Sequence, residues 1–216
     1  STSLFAENDI NLIRLDGKWE LFLKKTPEQT FTLIDKKQPA DFMCEVPGDW
    51  NKEIKAFGQT APETYGCYRY VYEKLQPDKE YAIFMNESPG TSSAIYINRK
   101  KTAQSGNPFP LASPDFSEKL NSYVKSNSVS KPILCTFYPD KNGNAEIIIF
   151  VSNYFYRKGG LWDTVFFGTS KIISQFNTLS LVLYSIIIGS LLFISLLNIV
   201  QFLFNHKRIE YLYLGL

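Results

Sequence analysis

The chain has 216 residues, and its 23 Lys and Arg against 21 Asp and Glu leave a formal charge of +2, too scattered to form the basic stripe of a nucleic-acid binder. The length suits one domain of about 100–200 residues with a real core. Its 17 Phe, 13 Tyr and 3 Trp fall in short runs divided by Pro, Gly, Asn and Asp, a composition of strands rather than helices.

Residues 1–14 read as a leader. The first strand is 17–23, in which Trp19, Leu21 and Leu23 alternate with Lys18, Glu20 and Phe22. A second strand at 42–46 is stopped by Pro47-Gly48, a turn pair that leads into Asp49-Trp50-Asn51. Pro27 and Pro39 bracket a stretch to which the pattern assigns no element. The segment 65–74 alternates throughout, with Tyr68, Tyr70 and Tyr72 on one face and Cys67, Arg69, Val71 and Glu73 on the other. Strands at 80–86 and 93–98 follow as a pair, and Asn98-Arg99-Lys100-Lys101 reads as a hairpin turn. Pro108, Pro110 and Pro114 then break regular structure, and 115–126 is a brief helix or a loop. Two further strands, 133–138 and 146–152, flank an Asn142-Gly143 step that favours a tight hairpin. The second is apolar on both faces, as a strand in the middle of a covered sheet is.

From Ile172 to Asn205 no side chain is charged. A spanning helix needs about 20 apolar residues, so 177–204 is expected to cross a membrane. Residues 205–209 form a basic turn and 210–216 open a second apolar helix. Lys207 and Arg208 put that turn in the cytoplasm by the positive-inside rule, so the large N-terminal domain is expected outside the inner face, in a periplasm or extracellular space. Asn198 and Gln201 are polar groups on one side of the span, suited to contacts with further helices. No signal peptide is visible; either it was removed or the residues belong to a longer protein.

Cys44, Cys67 and Cys135 lack the close spacing of a zinc or redox motif, so no metal and no cofactor are expected. In an exported domain Cys44–Cys67 is the pairing that sequence separation favours; buried free thiols are the alternative. The one histidine, His206, lies beside the membrane, which leaves no Ser-His-Asp or Cys-His arrangement for the polar domain. The chain is therefore read as a non-enzyme.

The order LDGKWELF (15–22), EVPGDWN (45–51), YGCYRYVYE (65–73), AIYIN (94–98) and IIIFVSNYFYRKGGLW (147–162) resembles the galactose-binding-like jelly roll that opens beta-galactosidase-type glycosidases. With GGLW leading into the apolar span and a basic turn, the chain resembles bacterial seven-transmembrane receptors with diverse intracellular signalling modules. That resemblance implies an all-β jelly-roll sandwich over 15–170 followed by a transmembrane helix. It implies an extracytoplasmic sensor for a carbohydrate or other small molecule, working through further helices on a cytoplasmic output domain. The rival reading is a membrane-anchored protein-interaction or homodimerisation module.

A jelly roll offers loops at one end, where aromatic faces stack on apolar ligand surfaces and a few polar groups fix orientation. Trp50, Asn51, Asn153, Arg157 and Trp162 are the candidates there, Trp50 having the second reading of a plug that closes the core. Arg69, between two tyrosines, suits a carboxylate ligand through bidentate bonds; Glu45 or Glu73 is the structural alternative as its partner. Gly159, Gly160 and Trp162 form a candidate signal-coupling joint, with backbone freedom from the glycines and contact of Trp162 with membrane lipids at the interface.

Overall fold

The alternating segments pair into two antiparallel sheets in the computed structural model, which describes residues 11–56, 58, 64–87, 89–108, 131–153 and 156–204. The strands are β1 Ile13–Arg14, β2 Gly17–Leu23, β3 Phe42–Val46, β4 Thr64–Tyr72, β5 Tyr81–Met85, β6 Ser92–Ile97, β7 Lys100–Ser105, β8 Ile133–Phe137, β9 Ala145–Asn153 and β10 Phe166–Thr169. One sheet has four strands in the order β1-β10-β5-β8, the other six in the order β3-β2-β4-β9-β6-β7. The chain crosses between the sheets at β1–β2, β4–β5, β5–β6, β7–β8, β8–β9 and β9–β10, which makes the domain a jelly-roll sandwich.

These crossings correct two expected pairings. β5 and β6 lie in different sheets, as do β8 and β9, so the Asn142-Gly143 turn, with Gly143 at φ +75°, joins sheets instead of closing a hairpin. Burial decides this: β9 is apolar on both faces and takes the middle of the larger sheet, between β4 and β6. The Asn98-Arg99 turn is a true hairpin between β6 and β7. Both residues take positive φ, 47° and 67°, as the primed turns of two-residue hairpins require.

Between the sheets, Trp19, Leu21, Leu23, Tyr68, Ile147 and Ile149 from the larger sheet meet Ile83, Met85 and Phe167 from the smaller one in a single core. The outer face of the larger sheet carries a second core of Phe22, Cys67, Ile148 and Phe150. A helix that the strand-centred reading passed over, α1 Pro27–Asp35, covers it with Phe31, Leu33 and Ile34. Its start is a capping box: Thr26 Oγ1 accepts from Gln29 N and Gln29 Oε1 from Thr26 N (3.0 Å), with Pro27 in the first turn. A one-and-a-half-turn helix, α2 Asn51–Ala56, follows β3. The three cysteines are free and buried. Cys44 pairs in register with Trp19 and Cys67 with Phe22, side chains on opposite faces of the sheet, so of the two readings the buried free thiols hold and Cys44–Cys67 is not a disulfide.

The second unit begins at Ser174. It is the greater part of α3, Ser170–Phe204, 35 residues that start directly after β10 and seven residues before the expected span. Thr169 Oγ1 accepts from Ile172 N at 3.5 Å across the junction. The helix is long and apolar enough to cross a membrane. Its serines bond back to their own backbone, Ser185 Oγ to Leu181 O and Ser190 Oγ to Ile186 O, each 2.8 Å, leaving no hydroxyl of these two for lipid to satisfy. The 115–126 segment and the expected turn and second helix at 205–216 lie outside the described residues.

Candidate functional site

The register of β4 with β9 defines two ends of the sandwich: Thr64 pairs with Asn153 at one, Tyr72 with Ala145 at the other. The segments after β3 and after β9 meet at the first end. Gly48 N donates to Leu161 O at 2.8 Å, Trp50 N to Gly159 O at 3.1 Å and Asn51 Nδ2 to Arg157 O at 3.2 Å. Asn153 clamps the start of the second segment, its Nδ2 donating to Tyr156 O (2.8 Å) and its Oδ1 accepting from Tyr156 N (3.1 Å). Tyr156 sits edge-on to Trp162 at 5.6 Å. Asp163 Oδ2 accepts from Glu87 N at 2.9 Å and ties in the β5–β6 loop.

Five of the sequence candidates therefore share this end, in different situations. Trp50 is fully buried and stacks on Tyr68, planes 5° apart and centroids 6.0 Å apart, so it closes the core and offers no face to a ligand. Asn153 is likewise buried. Asn51 and Trp162 are half-buried, and Arg157 is exposed. The glycines belong to this packing as well. A Cβ on Gly159 would overlap the Trp50 indole, and one on Gly160, whose φ is +118°, would lie 2.9 Å from Gly48 O. β10 stands between them and α3, so the expected loose joint is a strap docked on Trp50.

Arg69 belongs elsewhere. It points from the outer face of the larger sheet, where its Nη1 meets Glu20 Oε2 at 2.6 Å and its Nε meets Glu146 Oε1 at 2.7 Å; these are its partners in place of the expected Glu45 or Glu73. Burial works against the charge, but the hydrogen bonds to Glu20 and Glu146 outweigh it and hold the guanidinium above its ordinary pKa. Glu146 also reaches Arg99 at 3.4 Å, and Arg99 grips Asp35 with two bonds of 2.7 and 3.0 Å. A cleft of about 330 Å³ opens among Arg69, Asn98, Arg99, Asp140, Asn144 and Glu146.

A larger cleft, about 440 Å³, is lined by Ile97, Asn98, Lys100, Thr102, Thr136, Phe137 and Tyr138. Sequence reasoning named Asn98 and Lys100 as turn residues and none of the lining side chains as a binding candidate. The signal was the exposure of Thr136 in the alternation of β8 and of Tyr138 just after it, legible only once β8 is known to be a sheet edge.

No protein-family profile matches the sequence, and no curated protein matches it significantly. Solved structures similar to it include the GH2 beta-galacturonidase of Eisenbergiella tayi bound to galacturonate, at 10% identity and TM-score 0.46 over 74% of this chain and 24% of that one. A putative beta-galactosidase of Bacteroides fragilis is similar at 15% identity and TM-score 0.46 over 74% of this chain and 23% of that one. The beta-glucuronidase of Ruminococcus gnavus is similar at 11% identity and TM-score 0.48 over 75% of this chain and 29% of that one. The chain thus spans less than a third of each of these enzymes.

Proposed function

We propose that the sandwich is the extracytoplasmic ligand-sensing domain of a multi-helix bacterial membrane receptor, with α3 as its first membrane span and a small molecule, carbohydrate foremost, as its stimulus. The observation that carries this reading is the direct passage of β10 into α3, with Thr169 ending the strand and Ser170 beginning the helix. The loop-end segment 156–165 leads straight into β10, so a ligand held by Asn51, Arg157 and Trp162 biases the strand that becomes the helix. Such a ligand acts by binding one of two arrangements better than the other. Trp50, Gly159 and Gly160 serve as the packed base of that segment, and Arg69 steadies the outer face. The orientation follows from Lys207 and Arg208 on the cytoplasmic side.

Thermal unfolding of the full chain in detergent, with and without neutral sugars, amino acids and carboxylates, tests this. A ligand at 100 times its Kd stabilises by about 2.7 kcal/mol, and Asn51→Ala, Arg157→Ala and Trp162→Ala should each reduce the shift. A panel without any shift moves the reading to a protein-contact module.

A further inference from the structure

Along one side of the sandwich β7 ends the larger sheet and β8 ends the smaller one, and the two edge strands lie next to each other. The 440 Å³ cleft lies there, lined by the ends of β6 and β8 and the start of β7. Ile97 pairs with Ile147 in register, which places the cleft at the end of the sandwich away from Asn51 and Arg157. Its volume is within the range of small-molecule pockets, about 300–1,000 Å³.

The chemistry of the lining is one-sided. Phe137 and Ile97 are buried and supply an apolar floor, while the Tyr138 side chain is 58% exposed beside it. Lys100 is exposed, and among the described residues it has no carboxylate partner; none of the seven lining residues is acidic. Asn98 Oδ1 accepts from Glu146 N at 2.9 Å, which fixes the amide and leaves its NH2 as a donor. Thr102 donates to Ile95 O at 3.2 Å and is spoken for, whereas Thr136 is exposed. An aromatic face, one cation, one amide donor and one exposed hydroxyl are thus gathered on a concave surface.

We infer that this cleft is a second binding site, for a sugar that carries a carboxylate. The pyranose ring lies on Tyr138, its carboxylate pairs with Lys100, and its hydroxyls are met by Asn98 and Thr136. One ammonium matches one carboxylate, while a phosphate would bring about two charges against it. A flat aromatic anion would use the tyrosine but leave the amide and hydroxyl without partners. The inference does not depend on the loop-end reading, because no residue is shared between the two places.

The test is calorimetric titration of the full chain in detergent with sodium D-glucuronate and, in parallel, D-glucose. Glucuronate is expected to bind and glucose to bind at least about tenfold more weakly, the scale of one charge-assisted bond. Lys100→Ala should lose that preference, Lys100→Arg should restore it, and Tyr138→Ala should weaken both sugars. Lys100 and Tyr138 are exposed, and an unchanged unfolding temperature of the variants confirms that the fold is intact. Lys18→Ala, at an exposed lysine that belongs to neither place, should leave glucuronate binding unchanged. Absence of glucuronate binding, equal binding of the two sugars, or full binding by Lys100→Ala overturns the proposal. Loss of binding in the Asn51 variant instead would transfer it to the loop end.

Discussion

The two faces of the larger sheet are held by different physics. The inner face carries Trp19, Cys44 and Tyr68 into a core that excludes water, and its loop end is plugged by Trp50 under the Gly159-Gly160 strap. The outer face carries Phe22 and Cys67 under α1 and, beside them, the chain of charges Glu20, Arg69, Glu146 and Arg99, which ends on Asp35 at the end of the helix. Close packing is lost whole when one ring is removed, because neighbours collapse only partly. Half-exposed charges adjust, and solvent and salt replace much of what a partner supplied. Stability is therefore concentrated on the inner face, and adaptability on the outer one.

The sharpest way to break the contrast is Trp50→Ala. It empties an indole-sized space at a fully buried position and should cost about 3–5 kcal/mol, read as a lowered urea midpoint. Gly159→Ala attacks the same contact by overfilling, at about 1–3 kcal/mol, and should also alter the Trp50 fluorescence. If both variants unfold like the parent, the strap is not packed on the indole and the inner face has no special claim.

Arg69→Met removes the hub of the outer face. It strands Glu20 and Glu146, whose side chains are 35% and 17% exposed, and should cost about 1.5–3 kcal/mol. Molar salt should shrink this difference and leave that of Trp50→Ala unchanged. A salt-independent loss would place the Arg69 effect in packing of its methylene stem.

How far the sequence revealed these faces follows from the kind of signal each leaves. The alternation of 17–23 and 65–74 assigned Trp19, Tyr68, Cys67 and Arg69 to the correct sides, because a strand has a period of two whatever it pairs with. Sheet membership was hidden: nothing local tells that the strands beside Asn142-Gly143 go to different sheets. α1 was signalled by Thr26-Pro27-Glu28-Gln29, a capping pattern eclipsed by the aromatic, strand-like composition around it. At the loop end, Pro47-Gly48 and Gly159-Gly160 marked turns, but which of Trp50 and Trp162 is buried depends on the docking of segment 157–161 on segment 48–51, more than 100 residues away in sequence. The cleft beside Lys100 left only the outward place of Thr136 in the alternation of β8, since it is made by two edges that only the fold brings side by side.

Raising the pH probes both faces at once. Burial first of all pushes the Cys44 and Cys67 thiols up to about 12 and that of Cys135 to about 11, from an ordinary value of 9.0. Above pH 9 the unfolded chain gives up thiol protons that the folded chain retains, so the folded state binds more protons and stability falls as pH rises. Tyr68, also held well above its ordinary 10.0 mainly by burial, adds in the same direction. The urea midpoint should hold from pH 7 to 8 and decline from pH 9 to 11. A midpoint constant to pH 11 would mean that these groups are accessible to water.

The smallest expected effect is an absence of change, and it bears on the contrast most directly. Cys44 faces the inner core and Cys67 the outer one, with the sheet itself between their sulfurs. A disulfide requires Cα atoms within about 7 Å and Cβ atoms turned toward each other, a condition that side chains on opposite faces of one sheet do not meet. Mild oxidation of the folded chain with copper phenanthroline, followed by denaturation and alkylation, should leave all three thiols to be counted by mass. If the oxidised chain loses two thiols and proteolysis links the Cys44 and Cys67 peptides, the two side chains share a face. The register of β2 with β3 or β4 would then be shifted by one residue, and with it every assignment of a residue to the inner or the outer face of those strands.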